Sequence, residues 1–267
     1  MNKFIALLYS ILPKKIILSL GKSTYLKKLR DSVLRPNNKD LIVSAFVKWG
    51  KGAFYFYASP KVAVKAKNKG IENTLLKNSL LLLNKFSISS PTIIDVGANY
   101  GFISLALCSN LSSGSTIFSF EPHPQLVSAF NKSINKNNFK NIHLENVAIG
   151  DVQKKISLNL LGQTSNILDT GTDVVDRIEI EQIALDNYFL EKKIRPDYIK
   201  IDVDGYELNI LQGLKNTIEN FLPIIVVESN DNQEIIDFLK KYDYDLFDVN
   251  LSKFEGIPNN IFCVKRN

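Results

Sequence analysis

The sequence has few of the residues that build disulfides and transition-metal sites. Cys108 and Cys263 are its two cysteines, and they form neither a Cys-x-x-Cys pair nor a disulfide framework. His123 and His143 are its two histidines, which excludes a His-rich metal cluster. Because chains without disulfides are typical of reducing compartments, we expect a cytoplasmic protein.

The N-terminal residues do not read as a membrane-spanning or secretory segment. The apolar run over residues 4–12 is too short to cross a bilayer. Basic residues, rather than a small-residue cleavage site, follow that run. The composition is that of a globular chain, long enough for one large α/β domain with additions or for two small domains.

Positive charge is concentrated in an N-terminal arm. Residues 1–40 contain nine of the 33 Lys and Arg but two of the 27 Asp and Glu, so the rest of the chain is close to neutral. A neutral body argues against a broad nucleic-acid surface. The basic, amphipathic arm either contacts the inner face of an anionic membrane or packs on the body or on a second subunit. The sequence leaves both alternatives open, and it indicates no oligomeric state.

The central stretch, residues 92–104, lacks the G-x-G-x-x-G pattern of dinucleotide sites. The apolar, β-branched residues around Asp95 predict a buried strand, and a helical pattern begins at Phe102. Between them, Gly97 and Gly101 predict a tight turn where the backbone can approach a ligand. The pattern Asp-x-Gly-x-Asn-x-Gly resembles the first motif of Rossmann-like S-adenosylmethionine-dependent methyltransferases. An acid before the turn suits that cofactor, which carries a sulfonium and an ammonium but no phosphate. An ordinary turn with a capping Asp is the alternative.

A second acid follows at the expected distance. Thr116 to Glu121 reads as a strand, and Glu121 lies 24 residues after Gly97. In nucleotide-binding α/β sheets an acid at this place holds the ribose hydroxyls. Pro122, His123 and Pro124 then form a turn before a helix over residues 125–137. A surface acid at a strand end is the alternative.

The flanking segments also have clear patterns. Residues 41–59 predict a hairpin around Gly50-Lys51-Gly52, and residues 71–86 predict an amphipathic helix. We therefore divide the chain into an extension, residues 1–88, and a main domain, residues 89–267. Residues 142–147 predict a third strand. In a fold of this kind, Asn146 and the backbone that follows it are expected where the adenine ring would lie. Residues 155–184 read as an inserted hairpin around a polar loop.

Acids cluster in the C-terminal third of the chain. A buried strand over residues 198–201 is followed by Asp202, Asp204 and Glu207, and a helix begins near Tyr206. The next strand ends in Glu228, with Asn230 two residues later. A helix and two strands are predicted at residues 234–241, 245–249 and 261–264.

Together these blocks resemble the FkbM family of methyltransferases over residues 90–230. The matching pieces are Asp95-Val96-Gly97-Ala98-Asn99-x-Gly101, Glu121-Pro122-x-Pro124, Asn146-Val147-Ala148-x-Gly150-Asp151 and Ile199-Lys200-Ile201-Asp202-Val203-Asp204-Gly205-x-Glu207. The resemblance implies a Rossmann-like class I methyltransferase fold, with a mostly parallel seven-stranded sheet and helices on both faces. It also implies S-adenosylmethionine as cofactor and O-methylation of hydroxyls, often on sugars. Asp204 departs from the family, which more often has Glu there.

The resemblance assigns site residues one by one. Those expected to bind the cofactor are Asp95, Gly97, Ala98, Asn99, Gly101, Phe102, Glu121, Pro122, His123, Asn146, Val147, Ala148 and Asp202. Those expected to act on the acceptor are Asp202, then Asp204, Glu207 and Glu228. Because an alcohol must lose its proton during attack, Asp202 is the first candidate for base or orienting group. Capping the helix that starts near Tyr206, or pairing with Lys200 or Lys215, is the alternative role for these acids.

Three other interpretations stay open. Asp202, Glu228 and Asn230 could form a site for a hard cation such as Mg²⁺, although a metal is not the favoured reading. The acceptor could be an RNA or a protein side chain instead of a small molecule or glycan. The chain could also be a binding protein that has the cofactor fold without turnover.

Overall fold

The structure, a computed structural model, describes residues 41–161, 164–166 and 177–266. The basic arm, residues 1–40, therefore lies outside the described residues, as does most of the polar loop of the inserted hairpin. Among the helices in the described part, none is long and apolar enough to cross a membrane.

The described part of the chain begins with a hairpin and two helices: β1 (Val43–Trp49), β2 (Gly52–Ala58), α1 (Pro60–Lys69) and α2 (Asn73–Lys85). Next are β3 (Thr92–Val96), α3 (Phe102–Asn110), β4 (Thr116–Phe120), α4 (Pro124–Asn137) and β5 (Ile142–Glu145). They are followed by β6 (Ala148–Gly150), β7 (Lys154–Leu161), β8 (Thr164–Asn166) and β9 (Arg177–Ala184). The last are α5 (Leu185–Lys192), β10 (Tyr198–Ile201), α6 (Glu207–Gln212), α7 (Lys215–Phe221), β11 (Ile224–Glu228), α8 (Gln233–Leu239), β12 (Tyr244–Phe247) and β13 (Asn260–Lys265).

The central sheet has seven strands in the order β12-β13-β11-β10-β3-β4-β5. Strands β11, β10, β3, β4 and β5 pair in parallel, whereas β13 is antiparallel to both of its neighbours. The order reverses between β3 and β10, and a crevice forms at the carboxyl ends of the strands at such a point. The predicted fold class, a mostly parallel seven-stranded sheet of the class I methyltransferase type, is confirmed.

Helices cover both faces of this sheet, as predicted. Ile93 points into a core formed with the hairpin β1–β2 and helices α1 to α4. Its neighbour Ile94 points into a second core, formed with helices α5 to α8. Both side chains are fully buried, because successive residues of a strand face opposite sides of the sheet. This explains why β3 is apolar at every position between Ile93 and Val96 except Asp95.

The predicted hairpin of the extension packs on the main sheet's helices. The backbone N–H of Tyr55 donates to the side-chain oxygen of Asn137 in α4 at 2.7 Å, and the Asn137 amide donates back to the Tyr55 carbonyl at 2.7 Å. The rings of Phe54 and Phe56 lie 5.6 and 5.4 Å from the ring of Phe102 in α3. The division into an extension and a main domain stays a prediction.

The two predicted strands of the inserted hairpin are present in the described residues, whereas its description as an insertion stays a prediction. Strands β7 and β9 pair antiparallel, with Ile156 opposite Ile180, and they belong to a separate sheet of order β6-β9-β7-β8. Helices α1, α5 and α7 were not predicted from the sequence.

The third strand of the main sheet is shorter than predicted. It was expected to run to Val147, but β5 ends at Glu145 and the chain then leaves the central sheet. The side-chain amide of Asn146 donates to the backbone carbonyls of Glu121 and Pro122, each at 2.9 Å. These two hydrogen bonds direct Asn146 toward the end of β4, and pairing resumes in β6 with β9 instead.

Candidate active site

A cavity of about 390 Å³ lies at the carboxyl ends of β3, β4 and β10, beside the point where the sheet order reverses. Small-molecule sites in proteins typically measure about 300–1,000 Å³. The predicted site residues in its wall are Gly97, Ala98, Asn99, Phe102, Glu121, Pro122, Val147, Ala148, Asp202 and Asp204. The predicted residues placed outside its wall are Asp95, Gly101, His123, Asn146, Glu207, Glu228 and Asn230.

The first turn, residues 97–101, connects β3 to α3. Gly97, Asn99 and Gly101 have left-handed φ angles of 73°, 53° and 81°. A Cβ added at Gly97 would collide with the backbone carbonyl oxygen of Asp202, and one at Gly101 would collide with a ring of α4. The structure therefore requires both glycines for packing within the protein, whereas the sequence suggested clearance for a ligand.

Glu121 follows β4 and holds the first turn through its carboxylate. It is 4% exposed; Oε2 accepts the N–H of Asn99 at 2.7 Å, and Oε1 accepts the N–H of His123 at 2.9 Å. Burial raises the pKa of Glu121 to about 7, although the two hydrogen bonds and Lys200 oppose the rise. Each carboxylate oxygen has further lone pairs, so Glu121 can still accept hydrogen bonds from a ligand in the cavity.

A buried lysine links the ends of β3 and β10. Lys200 is 3% exposed, and its Nζ lies 3.7 Å from Asp95 Oδ1 and 3.0 Å from Asp202 Oδ2. Burial alone would lower the pKa of Lys200, but Asp202, Asp95 and Glu72 raise it above its ordinary value. The fully buried Asp95 also accepts the Ser104 hydroxyl at 2.6 Å. Asp95 therefore lies behind the cavity wall, with Lys200 between its carboxylate and that of Asp202.

Asp202 and Glu228 form a carboxyl pair at the ends of β10 and β11. Lys200 lowers the pKa of Asp202 although burial opposes it, and a hydrogen bond from Glu228 contributes. Burial and the charge of Asp202 raise the pKa of Glu228 to about 7. Below pH 7 the pair therefore carries one proton, which Glu228 donates in a hydrogen bond to ionised Asp202. The cavity wall contains Asp202, whose side chain is 30% exposed.

The second turn, residues 202–206, is held by Glu207. This residue is 1% exposed, and its Oε1 accepts the N–H groups of Val203 and Gly205 at 3.1 and 3.2 Å. The side-chain amide of Asn230 also donates to Oε1, at 3.1 Å. Glu207 thus stabilises the turn from behind through N–H groups that precede the helix, and this helix has no side-chain cap.

Three further predicted residues stand at the edges of the site. His123 is buried and caps α4, because its ring nitrogen accepts the N–H of Gln125 at 3.2 Å. Asn146 is held by its two hydrogen bonds to backbone carbonyls at the end of β4. Asp204 is exposed at the rim, and partial desolvation together with Asp202 raises its pKa.

The side chains of the alternative metal site make other contacts. Asp202 pairs with Lys200, Glu228 hydrogen-bonds to Asp202, and Asn230 donates to Glu207. In the part of the chain that the structure describes, no group of three or more His, Cys, Asp or Glu is placed to hold a metal ion.

One wall of the cavity was not predicted from the sequence. We call it the extension wall, and its residues are Phe56, Val62, Lys65, Ile71 and Glu72. No motif or spacing linked these residues to the central turn. Lys200 was also missed as a site residue, although a lysine inside an otherwise apolar strand was a signal for a buried ion pair.

Known proteins resemble this chain in sequence and in fold. The family model described as "Methyltransferase FkbM domain" matches residues 95–246, more than half of the chain. Methyltransferase FkbM from Methylobacillus flagellatus KT is similar over 66% of this chain and 44% of its own, with 14% identity and a TM-score of 0.48. The chain thus spans less than half the length of that protein.

A second solved structure resembles a larger share of the chain. It is a 16S rRNA methyltransferase from T. thermophilus, solved with AdoMet and guanosine. It matches 86% of this chain and 52% of its own, with 15% identity and a TM-score of 0.51. At this identity the likeness concerns the fold alone. The search of curated proteins found no match.

Proposed function

The chain belongs to the FkbM methyltransferase family, and on that premise we propose that it transfers the methyl group of S-adenosylmethionine to a sugar hydroxyl. The sugar would belong to a glycan, a lipopolysaccharide or a glycosylated metabolite. The observation that supports the proposal is the presence of two carboxylates in one cavity at the reversal point of the sheet. Glu121 is buried and suited to ribose, and Asp202 is ionised and suited to an acceptor.

The residues present fit the cofactor. Glu121 reaches the cavity with lone pairs left over, so it would accept the hydrogens of the two ribose hydroxyls. Val147, Ala148 and Ile149 supply an apolar section of wall that would face the adenine ring. The cavity volume of about 390 Å³ is within the range that such ligands need.

Asp202 is the residue that would act on the acceptor. S-adenosylmethionine, when bound, supplies a methyl group activated by the sulfonium charge. Because Lys200 keeps Asp202 ionised, Asp202 would accept a hydrogen bond from the acceptor hydroxyl and align its oxygen for attack. Apolar side chains such as Phe102, Ile103 and Leu126 line the cavity and would limit the entry of water.

Glu228 would determine when Asp202 can accept the proton of the hydroxyl. While Glu228 is protonated, the pair already carries one proton and Asp202 is a weak base. When that proton is lost near pH 7, the pair can take the hydroxyl proton as attack proceeds. Glu228 lies outside the cavity wall and acts through Asp202, so its role is that of a positioning residue.

Calorimetric titration of S-adenosylmethionine into the purified protein tests the cofactor assignment, with NADH as the control ligand. We expect binding of the methyl donor but not of NADH, and a loss of affinity in Glu121→Ala. Glu255→Ala, which removes an exposed acid away from the cavity, should bind like the wild type. A folded wild type that does not bind the donor would contradict the proposal.

Mass spectrometry of acceptor mixtures tests the substrate class. With labelled donor, we expect label in sugar-containing acceptors at an oxygen atom. Label in RNA or protein instead would reject the sugar assignment while keeping the methyltransferase activity. Turnover that is unaffected by a chelator would exclude the metal alternative at Asp202, Glu228 and Asn230.

A further inference from the structure

The extension wall brings two charged side chains to the cavity. Lys65 is exposed on α1, a helix whose buried residues Ala63 and Ala66 face the core. It lines the cavity, and in the described part of the chain it forms neither a hydrogen bond nor an ion pair through its side chain. Lys65 is therefore available to an anionic group inside the cavity.

Glu72 is the second of these charges. It precedes α2 with a left-handed φ of 47°, a conformation that is uncommon for a residue with a side chain. Its carboxylate does not cap the helix, and no described residue forms a hydrogen bond or ion pair with it. Glu72 is an exposed residue and is part of the cavity wall. Glu72 is therefore available to a cationic group.

The electrostatics around Glu72 favour a bound cation. The surrounding cavity walls partly desolvate its carboxylate and raise its pKa, and the charges of Asp202 and Asp95 add to the rise. Lys200 and, more weakly, Lys65 oppose it from beyond ion-pair distance. A cation bound beside Glu72 would offset both the desolvation and the repulsion.

Three of the other four charged groups in the wall already have partners, and the fourth, Asp204, is exposed at the rim. Lys200 is paired with Asp95 and Asp202, and Glu121 accepts two backbone N–H groups. Neither Lys200 nor Asp202 is therefore as free as Lys65 or Glu72 to bind a zwitterion. Among the described residues, the extension wall thus offers the cavity one cation and one anion that are not in ion pairs.

We infer that Lys65 and Glu72 bind the amino-acid end of S-adenosylmethionine, with Lys65 on its carboxylate and Glu72 on its ammonium. The inference rests on the proposed function and deepens it, because it assigns residues of the extension to the cofactor. An amino-acid end carries one charge of each sign, which matches the two charges of this wall. Binding there leaves Glu121 for the ribose and Asp202 for the acceptor.

The test compares three ligands by calorimetry on the full chain. S-adenosylmethionine has both charged groups of the amino-acid end, its decarboxylated form has the ammonium alone, and 5′-methylthioadenosine has neither. Since a hydrogen bond to a charged group changes affinity by roughly tenfold or more, we expect Glu72→Gln to weaken the first two ligands about tenfold. Lys65→Gln should weaken S-adenosylmethionine by about the same factor but not its decarboxylated form.

Neither variant should change the affinity for 5′-methylthioadenosine. Unchanged affinity for this ligand would show that the variant proteins are folded and keep the nucleoside part of the site. Lys61→Gln and Glu255→Gln remove exposed charges outside the cavity wall and should bind all three ligands like the wild type. If the wild type binds S-adenosylmethionine and Glu72→Gln binds it equally well, this inference is wrong and the proposed function stands. If the wild type binds no donor, both are wrong.

Discussion

Two turns leave the neighbouring strands β3 and β10, and a buried glutamate holds each of them. Glu121 accepts the N–H of Asn99 in the first turn, and Glu207 accepts those of Val203 and Gly205 in the second. The two glutamates are 4% and 1% exposed. Their relation to the cavity differs, because Glu121 is part of its wall and Glu207 lies behind it.

The aspartates of the two strands show the opposite arrangement. In the pairing of β3 with β10, Lys200 lies opposite Asp95 and Ile201 lies opposite Val96. Asp202 is therefore level with the residue after Val96, two positions closer to the cavity than Asp95. At about 3.3 Å per residue this is roughly 7 Å along the strand. That displacement places Asp202 in the wall and leaves Asp95 fully buried.

Each turn thus has acids that reach the cavity and another that is committed to its own structure. At the first turn the acid in the wall is the glutamate, whereas at the second turn the acids in the wall are the aspartates Asp202 and, at the rim, Asp204. Similar local sequences, an acid beside a glycine turn, therefore support different roles. Substitutions in the two turns can separate these roles or show that they are shared.

The largest effect is expected where the two turns touch. In Gly97→Ala, the new Cβ meets the Asp202 carbonyl and the backbone has a left-handed φ of 73°. Overpacking and left-handed strain together should lower the free energy of unfolding by about 3 kcal/mol. Gly256→Ala is the matched control, since Gly256 has a φ of 76° with open space around it. For Gly256→Ala we expect a loss of about 1 kcal/mol in the free energy of unfolding. Urea unfolding of both variants measures the difference, and equal losses would refute the contact between residue 97 and the Asp202 carbonyl.

Asp202→Asn tests which aspartate meets the acceptor. An amide cannot take the hydroxyl proton, so kcat should fall by about 100-fold. The affinity for S-adenosylmethionine, measured by calorimetry, should change far less than kcat. Asp231→Asn changes an exposed aspartate outside the cavity wall and serves as the control. Wild-type turnover in Asp202→Asn would remove Asp202 from the chemistry.

The two glutamates should respond differently to the same substitution. Glu207→Gln places an NH₂ group where the backbone N–H groups of the turn need an acceptor, which should cost about 2 kcal/mol of stability. Glu121→Gln places an NH₂ group against the N–H of Asn99 or of His123 and should cost a similar amount of stability. Because it also removes a carboxylate from the cavity wall, it should in addition lower the affinity for S-adenosylmethionine about tenfold. Thermal unfolding and calorimetry on both variants measure the contrast. Loss of donor affinity in Glu207→Gln at unchanged stability would show that the roles are shared.

The smallest effect concerns the proton that Glu228, at the end of β11, donates to Asp202 of the second turn. Because the pKa of Glu228 is raised to about 7, kcat should rise roughly tenfold between pH 6 and pH 8 as the carboxyl pair loses its proton. Glu228→Gln can donate a hydrogen bond to Asp202 at every pH, so its profile should stay flat at the low-pH rate. A flat wild-type profile would show that Glu228 does not control the base.

Much of the fold could be predicted because it depends on local patterns. The buried strand around Ile93 and Ile94, the turn at Gly97 and the helix from Phe102 follow from residues adjacent in the chain. The break after Glu145 could not be predicted, because the pattern of residues 142–147 fits a longer strand. Contacts of Asn146 with a turn 25 residues earlier ended that strand.

The candidate site was predicted less completely than the fold. Glu121 and Asp202 stand at the cavity, but Asp95, Glu207 and His123 are committed to contacts within the protein. Acids at strand ends look alike in a sequence, since neither burial nor hydrogen-bond partners are written in their spacing. The extension wall was missed because docking of β2 on α3 and α4, rather than any motif, brings Lys65 and Glu72 to the cavity.

The sequence by itself determined the family, the order of strands and turns, and the ends of strands at which a ligand would bind. It could do so because side-chain periodicity and glycine turns act over a few neighbouring residues. The tertiary structure decided which acids face the cavity and which residues close it. That choice depends on the register of β3 against β10 and on the packing of the hairpin, contacts between residues far apart in the chain that no local pattern specifies.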